Sequence, residues 1–125
     1  MYSVDITNTK DYLFNVRSKD YEFNVDTKGN GITPPDTLLA SVGTCLGVYI
    51  RKYAEGANIE LGPFTIKVES ELSKDPACFR KINVKIDLKG FKMDERRVKA
   101  MLGFVKNCPV HNTLKVSPEV EIEIV

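Results

Sequence analysis

The chain has 125 residues, three cysteines, one histidine, no tryptophan and a formal net charge of +1. A hydrophobic share of 42% and a charged share of 28% exclude a disordered segment, and the near-balanced charge excludes a nucleic-acid sleeve or a polybasic membrane binder. An odd, irregularly spaced set of cysteines is no secreted disulfide framework, and one histidine excludes a metal site built from histidines alone.

Met1 runs straight into Tyr2-Ser3-Val4-Asp5-Ile6, with no basic segment leading into an apolar one. The expected location is cytoplasmic, with thiols kept reduced unless they are catalytic. Tyr2, Val4 and Ile6 alternate with polar residues as in a strand. Tyr12, Phe14 and Val16 are echoed by Tyr21, Phe23 and Val25, and Ser18-Lys19-Asp20 between them supplies turn residues, so this stretch predicts a hairpin. Thr27 to Gly31 reads as a loop.

A helix follows. Thr33 suits the N-cap, Pro34 the first helical position, and Asp36 can close a capping box. Apolar residues recur at Leu38, Leu39, Val42, Cys45, Leu46, Tyr49, Ile50 and Tyr53, and Gly56 is the expected stop. From Pro34 to Glu55 such a helix is about 33 Å long. A domain of this size is about 36 Å across. Thr37 to Ile50 carry no charge, yet fall short of the roughly 20 residues that span a bilayer. A helix without a charged face must be covered all round. One small sheet covers one side, so a second copy of the chain is expected on the other.

Phe64, Ile66, Val68 and Ser70 form one alternating strand, and Ile82, Val84, Ile86 and Leu88 another, joined around Ser73-Lys74-Asp75-Pro76. Asp94 can cap a helix that carries Val98, Met101, Leu102 and Val105 on one face. That helix should break near Cys108, because a residue before proline avoids the α region. Pro109 can then open a short helix with Cys108 at its N-cap. Val120, Ile122 and Ile124 predict a last strand. The order (strands, long helix, strands, two helices, strand) makes an α+β fold in a single domain spanning 1–125.

The candidate chemistry lies in the thiols. Cys45 sits midway along the long helix beside Gly43 and Gly47. A glycine inside a helix costs about 1 kcal/mol relative to alanine, so something must approach closely there. Either the glycines pack helix on helix and Cys45 is one more core residue, or a ligand comes near. Cys108 at a helix N-terminus is placed to be acidic, because unpaired N–H groups and the helix dipole favour thiolate; the competing reading is a half-buried thiol filling a corner. His111, with Cys45 and Cys108, offers only an unpaired Cys/Cys/His set, so no metal is expected. Cys78 beside Asp75-Pro76-Ala77 reads as incidental. Arg96, Arg97 and Lys99 read as a solvated helix face. No phosphate loop and no serine-nucleophile motif occurs.

Thr33-Pro34-Pro35-Asp36-Thr37-Leu38-Leu39-Ala40-Ser41-Val42-Gly43-Thr44-Cys45 resembles the central-helix signature of the OsmC/Ohr family. Cys108-Pro109-Val110-His111-Asn112-Thr113-Leu114, about 60 residues on, resembles its second cysteine motif, and Phe79-Arg80-Lys81-Ile82-Asn83-Val84 the strand between them. The resemblance implies an OsmC-like fold, with antiparallel sheets wrapped around a long central helix in an intertwined homodimer. It also implies a thiol peroxidase without a cofactor. Cys45 would be peroxidatic towards an organic hydroperoxide, Cys108 resolving, and a dithiol would be the reductant. Active members hold an arginine, from the loop after the first strand, on a glutamate ten positions before the first cysteine. Here Pro35 stands at that position and Lys10-Asp11 in that loop, with Arg17 the nearest arginine on an outward strand face, which marks a divergent branch. The alternative is a non-catalytic dimer binding a small hydrophobic ligand in an apolar pocket at the dimer interface near Gly43 and Gly47. A third reading is a structural dimer with inert thiols.

Overall fold

The computed structural model describes all residues from Met1 to Val125, grouped in two compact units, Met1–Leu39 and Ala40–Val125. In the first unit β1 (Asp5–Asn8), β2 (Leu13–Ser18) and β3 (Tyr21–Asp26) form an antiparallel sheet in sequence order. The expected hairpin is present. Ser18 pairs with Tyr21, and Lys19 takes the left-handed φ of 56° that so tight a reversal requires. Phe14 pairs with Val25 and Val16 with Phe23, so the apolar residues of both strands share one face. Ile6 joins that face opposite Val16. The other face is polar: Arg17 lies between Asp5 and Glu22, and Asn15 between Thr7 and Asn24.

The unit holds one buried carboxylate. Asp26 is 3% exposed, its Oδ1 accepts from the Lys28 N–H at 2.7 Å, and its own N–H donates to the Ile32 carbonyl. Thr33 and Asp36 then form the reciprocal cap. The Thr33 hydroxyl donates to the Asp36 carboxylate at 2.8 Å and accepts from the Asp36 N–H at 3.2 Å. With this start, α1 (Pro34–Gly56) runs for 23 residues. Gly56 is its last residue, but the left-handed φ lies two positions on, at Asn58 (54°).

In the second unit the rest of α1 packs with β4 (Thr65–Glu69), β5 (Asn83–Asp87), α2 (Glu95–Val105) and α3 (Pro109–Val116). Ile66 pairs with Ile86 and Val68 with Val84, which gives the two strands one apolar face. On the wet face Lys67 lies opposite Lys85, and Glu69 reaches both ammonium groups at 3.8 and 3.9 Å. Asp94 caps α2 as expected, its Oδ1 accepting from the Arg97 N–H at 2.8 Å. The predicted apolar face of α2 divides: Met101 and Val105 are buried, while Val98 and Leu102 are exposed. The core joins Val42, Leu46, Ile50 and Ala54 of α1 to Leu61, Met101, Val105 and Cys108, with Ile50 fully buried.

Two expectations need correction. Val120, Ile122 and Ile124 form no strand, and all three are exposed. Alternation alone does not make a strand; a ladder needs a neighbouring edge, and this segment pairs with none within the chain. Gly43 and Gly47 meet strand side chains rather than another helix. A Cβ on Gly43 would stand 2.8 Å from Val68 Cγ2, and one on Gly47 would stand 3.2 Å from Ile66 Cδ1. No helix is long and apolar enough to cross a membrane.

Candidate functional site

Cys45 and Cys108 are 63 positions apart in sequence and are brought together in the second unit. Cys45 lies on α1, half-buried, at the shoulder between the core-facing residues Val42 and Leu46 and the exposed Thr44 and Val48. Cys108 ends the turn after α2 and is fully buried. Its N–H donates to the Val105 carbonyl at 3.2 Å, and its extended backbone (φ −67°, ψ 141°) then redirects the chain into α3. Proline at 109 requires that conformation of the residue before it.

Cys108 is the N-cap of α3, as expected. Its Sγ accepts from the His111 N–H at 3.4 Å, and its carbonyl accepts from the Asn112 N–H at 3.0 Å. The acidity expected of that position is overturned. Burial pushes the Cys108 thiol above its ordinary value; the His111 N–H opposes this, a hydrogen bond and charge from Cys45 raise it further, and the Val110 N–H lowers it. The N-terminal N–H groups do act as the sequence suggests, but removal from water outweighs them. The Cys45 side chain is near enough to act on the Cys108 thiol, so the two cysteines lie close together rather than as two isolated core residues.

Side chains around the turn hold Cys108 in place. The His111 Nδ1 lies 3.1 Å from the Lys106 carbonyl, and the Asn112 amide donates to the Asn107 carbonyl at 3.3 Å. Thr113 donates back to the Pro109 carbonyl at 2.7 Å. His111 thus faces a backbone oxygen, and no group of three or more His, Cys, Asp or Glu is arranged to hold a metal ion. Cys78 is half-buried in the connection between β4 and β5, its Sγ 3.4 Å from the Ser73 hydroxyl.

The positions that depart from the family pattern are also placed. Lys10 and Asp11 lie in the β1–β2 loop, where the Asn8 amide donates to both their carbonyls at 3.1 Å. Arg17 is on the polar sheet face, its guanidinium 3.0 Å from Glu22. Asp36 is engaged in the cap of α1. Arg51 has a role that its neighbours in sequence do not signal. It donates to the carbonyls of Leu61 and Gly62 at 2.6 and 2.8 Å and lies over the Phe64 ring, which ties the segment after α1 to that helix. No local pattern marks such a clamp.

An α+β chain with two facing thiols, one on a long helix and one capping a short helix, is the class these features define. Residues 27–123 match the family model described as OsmC-like protein, and the chain belongs to that family. Solved structures of similar fold include an OsmC like protein from Mycoplasma pneumoniae, with 22% identity, a TM-score of 0.80 and coverage of 92% of this chain and 87% of that one. A hypothetical protein from Aquifex aeolicus VF5 has 18% identity and a TM-score of 0.78, over 95% of this chain and 90% of that one. The organic hydroperoxide resistance protein OhrB of Bacillus subtilis has 17% identity and a TM-score of 0.60, over 91% of each chain. No curated protein matches the sequence.

Proposed function

We propose that the protein is a thiol-dependent peroxidase that reduces organic hydroperoxides. The observation that carries this reading is the pairing of Cys45 with Cys108 across 63 positions of sequence. The burial difference supports Cys45 as peroxidatic and Cys108 as resolving: Cys45 is half-buried, whereas Cys108 is fully buried. The Cys45 thiolate attacks the terminal peroxide oxygen, the O–O bond breaks, and the alcohol leaves after taking a proton. Cys45 is then a sulfenic acid. The Cys108 thiol displaces its hydroxyl as water and a disulfide forms. A dithiol reopens that disulfide and is itself oxidised to a cyclic disulfide. The reaction needs no cofactor. The name of the Bacillus subtilis relative, an organic hydroperoxide resistance protein, agrees with this chemistry.

The reading includes a cytoplasmic homodimer and a single functional domain over 1–125. Ala40, Thr44 and Val48 recur every fourth residue of α1, are uncharged and are exposed. Small residues so spaced let a second helix approach closely. The first unit leaves an apolar basin of about 540 Å³, lined by Val4, Ile6, Phe14, Val16, Phe23, Val25, Pro34 and Thr37. A second copy is the cover proposed for both. The alternative is a non-catalytic dimer that binds a small hydrophobic ligand at its interface; within the chain Gly43 meets Val68 and Gly47 meets Ile66.

The test is stoichiometric. Fully reduced protein mixed with tert-butyl hydroperoxide should consume one equivalent per chain and form the Cys45–Cys108 disulfide. Cys45→Ser should consume none. Cys108→Ser should consume one and stop at sulfenic acid. Absence of consumption by the wild type, with Cys45 still titratable after unfolding, would sink the reading. Sedimentation equilibrium checks the dimer, and a mass of 14.1 kDa, that of one chain, would refute it.

A further inference from the structure

A disulfide between these cysteines can be reopened at either sulfur, and the two routes differ in which cysteine carries the mixed disulfide. Thiol–disulfide exchange requires a thiolate to reach the attacked sulfur while the other sulfur departs with the electron pair. Access and stabilisation of the departing sulfur decide the route. Cys108 is fully buried at the turn between α2 and α3, in one core cluster with Val105 and Met101. Cys45 is half-buried on the shoulder of α1. The N–H of His111 donates to the Cys108 sulfur at 3.4 Å. Cys45 lies in mid-helix, where the backbone N–H groups are spent on the helix itself.

We propose that the dithiol reductant attacks the Cys45 sulfur, so that the mixed disulfide forms on Cys45 and Cys108 departs into the N-cap of α3. The inference rests on the two-thiol cycle proposed above and adds the direction of its last step. One reductant thiolate bonds to Cys45 Sγ and the Cys45–Cys108 bond breaks. The electron pair goes to Cys108 Sγ, which the His111 N–H holds until it takes a proton. The second thiol of the reductant then attacks the reductant sulfur of the mixed disulfide, closes the cyclic disulfide and releases Cys45 as thiolate. Cys45 thus meets both the peroxide and the reductant, while Cys108 serves as an internal partner that never leaves the core. The N-cap that fails to make Cys108 acidic in the resting pair acts as a cradle for the departing sulfur.

The experiment uses the full chain carrying Cys78→Ser, which removes the third thiol. Diamide closes the Cys45–Cys108 disulfide without any peroxide. A brief pulse of 2-mercaptoethanol, which cannot close a ring, is quenched into denaturant containing N-ethylmaleimide, and peptide mass mapping locates both adducts. The expected result is 2-mercaptoethanol on Cys45 and maleimide on Cys108, in excess by roughly tenfold or more over the reverse pattern. The same pulse on unfolded disulfide should lose that preference. Equal adducts on both cysteines in the folded protein, an excess on Cys108, or a preference that persists after unfolding would overturn the inference and leave the peroxide step standing. Failure of diamide to close the disulfide would remove the resolving step of the cycle, and this inference with it.

Discussion

Val68 sets its Cγ2 methyl against the bare face of Gly43, 2.8 Å from where a Cβ would lie. This contact seats β4 on α1 two residues from Cys45. Gly43→Ala should therefore destabilise the protein. Alanine gains up to about 1 kcal/mol of helix propensity, but overpacking costs about 1–3 kcal/mol, and a β-branched valine cannot easily turn its methyl away. Gly47→Ala meets the flexible end of Ile66 at 3.2 Å instead. It should be neutral, or more stable by up to about 1 kcal/mol. Urea midpoints of the two variants check the contrast, and equal shifts would contradict the packing described.

Removal of the Asp94 cap should cost about 1 kcal/mol in Asp94→Ala, because the Arg97 N–H loses its acceptor, while Asp94→Asn should keep most of it. Denaturant unfolding followed by circular dichroism measures both. A silent alanine variant would mean that Met101 and Val105 alone hold α2.

Cys108 should react slowly. Its thiol is pushed above its ordinary value, chiefly by burial, so the folded protein keeps this proton after the unfolded chain has lost it. Stability from this group is complete below the ordinary thiol range of about 8.5 and is lost as pH rises through the folded value. The wild type should lose more stability between neutral and strongly alkaline pH than Cys108→Ser does. Iodoacetamide labelling of Cys108 should lag behind that of a free thiol and rise only at higher pH. Labelling at the free-thiol rate near pH 8 would contradict the burial.

Arg17 is committed to Glu22. Its guanidinium and the Asn15 amide hold the Glu22 carboxyl below its ordinary value. In Arg17→Ala the Glu22 pKa should rise towards that value, as NMR titration would show, while peroxide consumption stays at the wild-type rate. A tenfold loss of rate would identify Arg17 as the cation that activates the thiol.

Much of this molecule is written in short stretches of its sequence. Thr33, Pro34 and Asp36 start α1, the Tyr-x-Phe-x-Val echo sets the register of β2 on β3, and Asp94 and Cys108 cap α2 and α3. Each depends on residues within a few positions of one another, because capping, turns and amphipathic periodicity are interactions between near neighbours. The family signature around Cys45 and Cys108 was legible for the same reason.

What stayed hidden involves residues far apart in the chain. Nothing near Cys108 says that its sulfur is removed from water, and that burial reverses the acidity its helix end suggests. Nothing near Gly43 says that Val68 rather than another helix will face it. The alternation of Val120, Ile122 and Ile124 is clear in the sequence, yet no edge within the chain pairs with it. Desolvation, steric fit and strand pairing depend on which distant residues come to lie alongside, so folding alone turned two thiols 63 positions apart into one pair with a half-buried and a fully buried member.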